Sequence, residues 1–430
     1  MMEESWKDDY DKTLQSGTVV DLAQIRATQS LRESLAKSEK GAPLPTVANL
    51  IAILRHDPVL DGLLASNSFT CEAVILRAPP VPDDAAAPLP GPYPRTPEPA
   101  DVSLIHAYVQ RVWVSHATET AVYSAIAAAT AMRAFHPVRD WLGGLLWDGN
   151  ARLDGWLYRA FGAEPSDYHA DVGAKFLIAA VRRVRRPGCK FDYMPILKGA
   201  QGIGKSTALA VLFSPEWFTD SIPHDLGNKD AAMAVLGRWC IEMAEIDQLI
   251  RGEMETIKGF LTRQVERFRP PFARSIVTRP RQCVLVGTTN SDEFLRDSTG
   301  NRRFWPVTCT TADVEWVRAN REQLWAEAAA RETSGEAIWL TDESSQVAAL
   351  EIQAAHVMED AWEDKIATWC ALRTQVTVPE IMADCLLMAA KDQTKGAQMR
   401  VGAVLKQHGW ERVVRWSENR ARRLWVRGIQ

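Results

Sequence analysis

Residues Gly199-Ala-Gln-Gly-Ile-Gly-Lys-Ser206 follow the apolar run Tyr193-Met-Pro-Ile-Leu197 and lead into Thr-Ala-Leu-Ala-Val-Leu212. The spacing G-x-x-x-x-G-K-[ST] between an apolar strand and an apolar helix demands a strand, a tight glycine turn and a helix whose N-terminus faces that turn. Gly199, Gly202 and Gly204 let backbone N–H groups approach phosphate oxygens, Lys205 neutralises them, Ser206 offers a hydroxyl to Mg²⁺, and Thr207 ends the stretch that grips the nucleotide. The expected ligand is a nucleoside triphosphate, ATP, with Mg²⁺.

Two later strands supply what hydrolysis needs. Arg238-Trp-Cys-Ile-Glu-Met-Ala-Glu-Ile-Asp247 is a short apolar strand ending in acids. With Ile246-Asp247 aligned as the end of a Walker B strand, Glu245 polarises water, Ala244 stands where an aspartate is usual, and Glu242 supplies the metal contact. Gln282-Cys-Val-Leu-Val-Gly-Thr-Thr-Asn290 is a buried strand with an amide at its polar end. Asn290 suits a sensor holding the attacking water and γ-phosphate. The order and spacing of the three strands fit one doubly wound sheet, with its ligand crevice at the strand C-terminal ends. Beyond it, Arg302 and Arg303 follow a turn and precede an aromatic-anchored strand. One of them is read as an arginine finger, a group worth about 10³–10⁵ in rate, and the other as a salt-bridge partner.

Taken together, Pro187-Gly-Cys-Lys-Phe-Asp-Tyr193, the glycine loop, Trp239 to Asp247, Phe260-Leu-Thr-Arg-Gln264, Arg269-Pro-Pro-Phe272, Val286-Gly-Thr-Thr-Asn290, Thr299-Gly-Asn-Arg-Arg-Phe-Trp-Pro-Val307 and Gln323-Leu-Trp-Ala-Glu-Ala328 resemble the virulence-associated protein E family. Its members are phage, prophage and plasmid replication ATPases similar to superfamily III helicases. The resemblance covers about residues 135 to 330, and extends more loosely to Asn49-Leu-Ile-Ala-Ile-Leu54 and to His136-Pro-Val-Arg-Asp-Trp-Leu142 with Leu146-Trp-Asp-Gly149. It implies an AAA+-like P-loop core, a homo-oligomeric ring expected to be hexameric, DNA as translocated substrate, and arginine fingers acting across subunits.

The formal charge of −4 excludes a uniformly basic surface, so contacts to DNA must be local. Six arginines at 263, 267, 269, 274, 279 and 281 face a single acid, Glu266, with Phe268 and Phe272 interleaved. Cations and aromatics together suit single-stranded DNA. The segment resembles the pre-sensor hairpin of superfamily III helicases; a solvated loop or a subunit contact is the bland reading of Arg263, Arg267, Arg269, Arg274, Arg279 and Arg281. Arg182-Arg-Val-Arg-Arg186 reads instead as a helix C-terminus favouring cations.

Composition divides the remainder. Residues 1–45 read as a charged tail, 46–100 as a small segment with a linker that carries nine prolines between Pro79 and Pro99, 101–186 as one helical domain, for which the resemblance implies a collar, and 187–335 as the ATPase core. Residues 336–430 read as a helical connector followed by a winged-helix-like domain. Thr377-Val-Pro-Glu380 is a capping box, a second helix from about Ala397 ends at Gly409, and two strands flank the polar turn Ser-Glu-Asn-Arg-Ala421. Arg400, Arg412, Arg415, Arg422 and Arg423 make this the most basic region, suited to duplex phosphates, with a structural cap as the alternative.

Seven cysteines without a C-x-x-C spacing indicate neither a disulfide framework nor a zinc site. No stretch approaches a membrane span and the N-terminus is not a signal peptide, so a cytoplasmic location in a bacterial host is expected. The α/β reading is thus a DNA-dependent ATPase acting as replicative helicase on single-stranded DNA, with a non-unwinding, ATP-switched origin-binding initiator as the alternative and a P-loop kinase as a distant third. No primase motif is present, which leaves primer synthesis to a separate chain.

Overall fold

The computed structural model describes residues 22–81, 91–223, 225–246, 256–269, 275–295, 301–356, 362–417 and 420–427. Asp247, Pro270 to Arg274 and the turn before Asn301, all named above, lie outside the described residues, as do residues 1–21 of the expected N-terminal tail, whose remainder includes a helix from Leu22 to Ser34. The chain forms two compact units: residues 1–145 with 236–238, and residues 146–235 with 239–430.

In the first unit, α1 (Leu22–Ser34), α2 (Val47–His56), α3 (Pro99–Val112) and α4 (Glu119–Ala131) precede the short α5 (Pro137–Gly143). Strands β1 (Leu64–Asn67), β2 (Glu72–Ile75) and β3 (Ala134–Phe135) form a small sheet ordered β2-β1-β3. Leu50, Ile53, Ile105, Val109, Val122 and Ala125 fill its core. The end of the proline-rich stretch is structured. Pro99 starts α3, and the Glu98–Asp101 capping box holds that start while Arg95 reaches Asp101 at 2.6 Å. Buried Asp57 anchors the turn after α2, accepting from Leu60 N–H at 2.9 Å and Trp113 Nε1 at 2.8 Å. The hairpin β1–β2 extends further than the single strand expected near Phe69.

In the second unit, α6 (Trp156–Phe161) and α7 (Asp167–Arg185) lead to β4 (Met194–Lys198), α8 (Lys205–Phe213), β5 (Phe218–Thr219), α9 (Lys229–Ala234) and β6 (Cys240–Met243). After a helical segment at 256–262 come β7 (Val265–Phe268), β8 (Val277–Pro280), β9 (Val284–Thr289), β10 (Phe304–Thr308), α10 (Val314–Thr333) and α11 (Glu343–Ala355). Strands β10-β4-β9-β6-β5 make one sheet, and every pairing in it is parallel.

A parallel sheet is covered on both faces, so its strands read as continuous apolar runs. All six residues of β9 are buried. On one face Met194, Ile196, Ile241, Met243 and Leu285 join α9 and the 256–262 helix through Ala231, Phe260 and Leu261. On the other, Pro195, Leu197 and Val286 meet Val172 and Phe176 of α7 and Leu209 of α8. An aromatic cluster locks this face: Trp239 lies 4.0 Å from Trp325 of α10, and Phe213 packs edge-on to both. Both indoles are satisfied, Trp239 by Ala180 O at 2.9 Å and Trp325 by Leu212 O at 2.8 Å.

The segment 101–186, expected as one helical domain, is divided. Residues up to 145 belong to the first unit, whereas α6 and α7 belong to the second. Helical periodicity shows that a face is apolar but not what it packs against. Polar clasps tie these elements to α10. Gln323 accepts from Asp148 N–H at 2.9 Å, and buried Glu327 accepts from Arg152 N–H at 2.6 Å and Leu153 N–H at 3.0 Å. Arg182 and Arg185 reach Glu332 at 3.2 and 3.0 Å, consistent with their expected place at a helix C-terminus.

Residues 362–427 build their own core from Ile366, Val376, Ile381, Val401, Leu405 and Trp410. Here α12 (Glu363–Cys370), β11 (Gln375–Val376), a helical turn at 378–385, α13 (Lys395–Gln407) and the hairpin β12 (Trp410–Ser417) and β13 (Arg420–Arg427) follow in order. The sheet is ordered β11-β13-β12 and is antiparallel throughout. Both hydrogen bonds of the Thr377–Glu380 capping box form, and Gly409 takes a φ of +75° after α13.

Replacing Trp325 with alanine removes the keystone of the aromatic face and should destabilise the second unit by about 3–5 kcal/mol. Urea titration followed by tryptophan fluorescence reads this, and a loss below about 1 kcal/mol would refute the packing argument.

Candidate nucleotide site and nucleic-acid interface

Strand β4 ends at Lys198 beside Thr289, the last residue of β9, and Gly199 N–H donates to Thr289 O at 3.0 Å. The chain then turns through Gly202 and Gly204, and Gly204 caps α8 with φ +96°, a conformation that suits glycine. A Cβ on Gly199 would collide with the carbonyl of Cys309. The loop therefore lies close against its surroundings, with the N–H groups of the first turn of α8 facing a cleft.

That cleft has a volume of about 320 Å³, and Gly202, Lys205, Ser206, Glu245, Thr289 and Asn290 are among the residues lining it. Lys205 is only 9% exposed, and its Nζ donates to the carbonyls of Gly199 and Ala200 at 2.8 and 2.9 Å. Burial lowers the pKa of its ammonium, with Cys309 and Glu242 acting in the opposite sense.

Glu242, on β6, is completely buried. Its Oε1 accepts from Ser206 Oγ at 2.7 Å and from Thr288 Oγ1 at 2.5 Å, while its Oε2 has no hydrogen-bond partner among the described residues. A buried carboxylate oxygen without a donor is costly. A hydroxyl and a carboxylate oxygen side by side form the hard-oxygen set that Mg²⁺ takes, so these residues fit the ion. Glu245 is exposed at the cleft with φ +49°, and Asn290 is exposed at the end of β9.

The structure thus brings Lys205, Ser206, Glu242, Glu245 and Asn290 to one cleft, together with Thr288, which the sequence reading did not single out. Its only signal was its place inside the Val286 to Asn290 motif. Arg302 and Arg303 are not there. They form a turn ahead of β10, whose first residue Phe304 pairs with Met194 at the start of β4, whereas Thr308 pairs with Lys198 next to the glycine loop. At about 3.3 Å per residue, the arginines sit some 16 Å along the sheet from their own cleft. Arg302 is exposed, and the Nε of Arg303 has no partner among the described residues.

The arginine-rich segment is a two-stranded antiparallel hairpin, β7 with β8. Arg267 and Arg269 are exposed and Arg279 is half-buried, while Arg274 lies outside the described residues. Arg281 corrects the expectation of six DNA-facing cations. It is fully buried, its guanidinium paired with Glu266, donating to Phe260 O at 2.5 Å and lying 4.3 Å over the Phe260 ring. Arg263 also leans on Glu266, at 3.7 Å. Alternation along β7 turns Glu266 and Phe268 inward and Arg267 outward, so the single acid of this segment is internal and needs a buried cation.

In residues 362–427, Arg400 is exposed and stacks 3.9 Å over Trp362, and Arg412 and Arg423 are exposed on the hairpin. Arg415 and Arg422 occupy facing positions in its register, with side chains outside the described residues.

Five parallel strands covered on both faces, with a cleft at their C-terminal ends, define an open α/β domain. The virulence-associated protein E-like domain profile matches residues 142–357, half of the sequence, and the chain belongs to that family. No curated protein matches the chain. Among solved structures, the apo NrS-1 C-terminal region aligns at 14% identity over 67% of this chain and 78% of that one, with a TM-score of 0.38. A structure of its residues 305–718 aligns at 15% identity over the same shares, also at 0.38. No described helix is long and apolar enough to cross a membrane.

Alanine at Arg281 leaves buried Glu266 with only the longer Arg263 contact at 3.7 Å, and should cost about 3–5 kcal/mol of stability. Alanine at exposed Arg267 should change stability by less than about 0.5 kcal/mol. Chemical denaturation of both variants checks the distinction; equal effects would refute it.

Proposed function

We propose that this chain is an ATP-dependent replication ATPase of a phage, prophage or plasmid, which works as a homo-oligomeric ring on single-stranded DNA and unwinds duplex ahead of it. The observation that carries the reading is the Ser206–Glu242 pair, with its unsatisfied carboxylate oxygen, inside the cleft lined by Lys205 and Asn290. The strand order β10-β4-β9-β6-β5 supports an AAA+-like core, because it places the strand carrying Asn290 between the glycine-loop strand and the acidic strand.

In this mechanism Lys205 leaves the carbonyls of Gly199 and Ala200 to meet the β- and γ-phosphates. Ser206 and Glu242 would hold Mg²⁺, which would supply positive charge against the phosphate oxygens. Glu245 polarises the attacking water and Asn290 orients it. Arg302 or Arg303, remote from its own cleft, completes the site of the next subunit and stabilises charge on the transferring phosphoryl group. The β7–β8 hairpin, through Arg267 and Arg269, contacts the strand in the channel. The winged-helix-like domain binds duplex phosphates through Arg400, Arg412 and Arg423.

Lys205→Ala should abolish ATP hydrolysis with an unchanged melting temperature. Glu242→Gln should raise the Mg²⁺ concentration needed for half-maximal turnover, whereas Glu245→Gln should lower turnover while nucleotide still binds. Mixing inactive Lys205→Ala with inactive Arg303→Ala should restore activity, since mixed rings contain complete sites. DNA-stimulated turnover by Lys205→Ala would overturn the site, and absence of recovery in proven mixed rings would overturn the trans finger. A strand-displacement assay separates a helicase from a non-unwinding initiator.

A chain ending at residue 361 should keep its ATPase and single-strand stimulation but lose duplex binding. Each phosphate contact removed flattens the salt dependence by about 0.9 log unit per decade. Retained duplex affinity with lost ATPase would make the C-terminal domain a structural cap.

A further inference from the structure

Helix α11 holds two parts of the second unit that have separate duties in a ring: the loop after Asn290 and the turn carrying Arg302 and Arg303. We propose that α11 couples occupancy of a chain's own cleft to the placement of the arginines it offers its neighbour, with His356 and Gln353 as the positioning residues. The proposal rests on the roles of Asn290 and of Arg302 or Arg303 stated above, and it names the regulation of that same site.

At the sensor end, Asp292, Phe294 and Leu295 are each tied. Asp292 pairs with Lys198, the last residue before the glycine loop, at 2.5 Å. The Asp292 carbonyl accepts from His356 Nδ1 at 2.7 Å. The carbonyl of His356 accepts the N–H groups of Phe294 and Leu295 at 3.2 and 3.0 Å, and its ring stacks on Phe294 with centroids 4.9 Å apart. Phe294 and Leu295 are fully buried. A displacement of the loop on nucleotide binding therefore reaches His356 through three hydrogen bonds and a stacked ring.

At the arginine end, Gln353 is 4% exposed and its Nε2 donates to Phe304 O at 2.8 Å. Phe304 follows Arg303 directly. Gln353 lies in the last turn of α11 and His356 caps that turn, its N–H donating to Gln353 O at 3.2 Å, so one end of the helix bears both holds. Close-packed elements of this kind move as blocks and do not deform continuously. A shift of His356 is thus a shift of Gln353, and with it of the backbone that aims the two arginines.

The test is ATP hydrolysis against ATP concentration, with nucleotide affinity and melting measured in parallel, on the full chain and three variants. Gln353→Met removes the donor at similar volume, His356→Phe keeps the stacked ring without Nδ1–H, and Asp292→Ala cuts the tie to Lys198 at an exposed position (85% side-chain exposure). Wild type should show a Hill coefficient above one. Each variant should keep nucleotide affinity within about twofold while its Hill coefficient falls to one, since coupled sites are related by about 5- to 150-fold in affinity. Titrating Lys205→Ala subunits into wild-type rings should inhibit out of proportion to their fraction, but in proportion for the variants. Folded variants that remain as cooperative as wild type would overturn the coupling, as would wild-type hydrolysis without cooperativity. Absence of hydrolysis in wild type would sink the ATPase reading itself. Asp292→Ala keeps the test decisive even where a core variant unfolds.

Discussion

Strand β9 hydrogen-bonds β4 on one side and β6 on the other, all three running the same way. Parallel pairing places the C-terminal ends of adjacent strands at one edge, so Lys198 with the glycine loop, Thr288 to Asn290, and Glu242 to Glu245 emerge together. No single strand could bring a hydroxyl, a carboxylate and an amide to one cleft. The sheet does so because its interior residues are apolar on both faces and leave the polar groups to the strand ends.

Within that edge, the electrostatic centre is Glu242. A wholly buried carboxylate is tolerated only with donors around it, and here two hydroxyls share one oxygen while the other has none among the described residues. Lys205 is held back by two loop carbonyls close by. A ligand that carries a cation to Glu242 and anionic oxygens to Lys205 relieves both. The aromatic face and the clasps of Gln323 and Glu327 support this edge from behind, fixing α7, α8 and α10 on the sheet that carries it.

Much of the site was legible in the sequence because its groups are bound to local patterns. A glycine loop must follow a strand and open a helix, and a strand ending in acids or an amide announces its polar end. Lys205, Ser206, Glu242, Glu245 and Asn290 were found that way. The second helix and the hairpin of residues 395–427 were readable from a terminal glycine and two strands around a polar turn, whereas the capping box at Thr377 opens only a helical turn at 378–385. Arg281 was misread because a cation beside an aromatic looks the same in sequence whether it faces solvent or a buried glutamate. Thr288, Gln353 and His356 carried no pattern, since each acquires its meaning from a partner distant in sequence.

The sequence by itself determined the elements, the residue types at the strand ends and the family, because these depend on short-range spacing and on chemistry that tolerates few substitutions. Tertiary structure alone decided which helices share a core, dividing 101–186 between two units. It also decided which of six arginines is interior, and at which end of β10 the paired arginines stand. Those outcomes depend on strand order and register, which join residues distant in the chain.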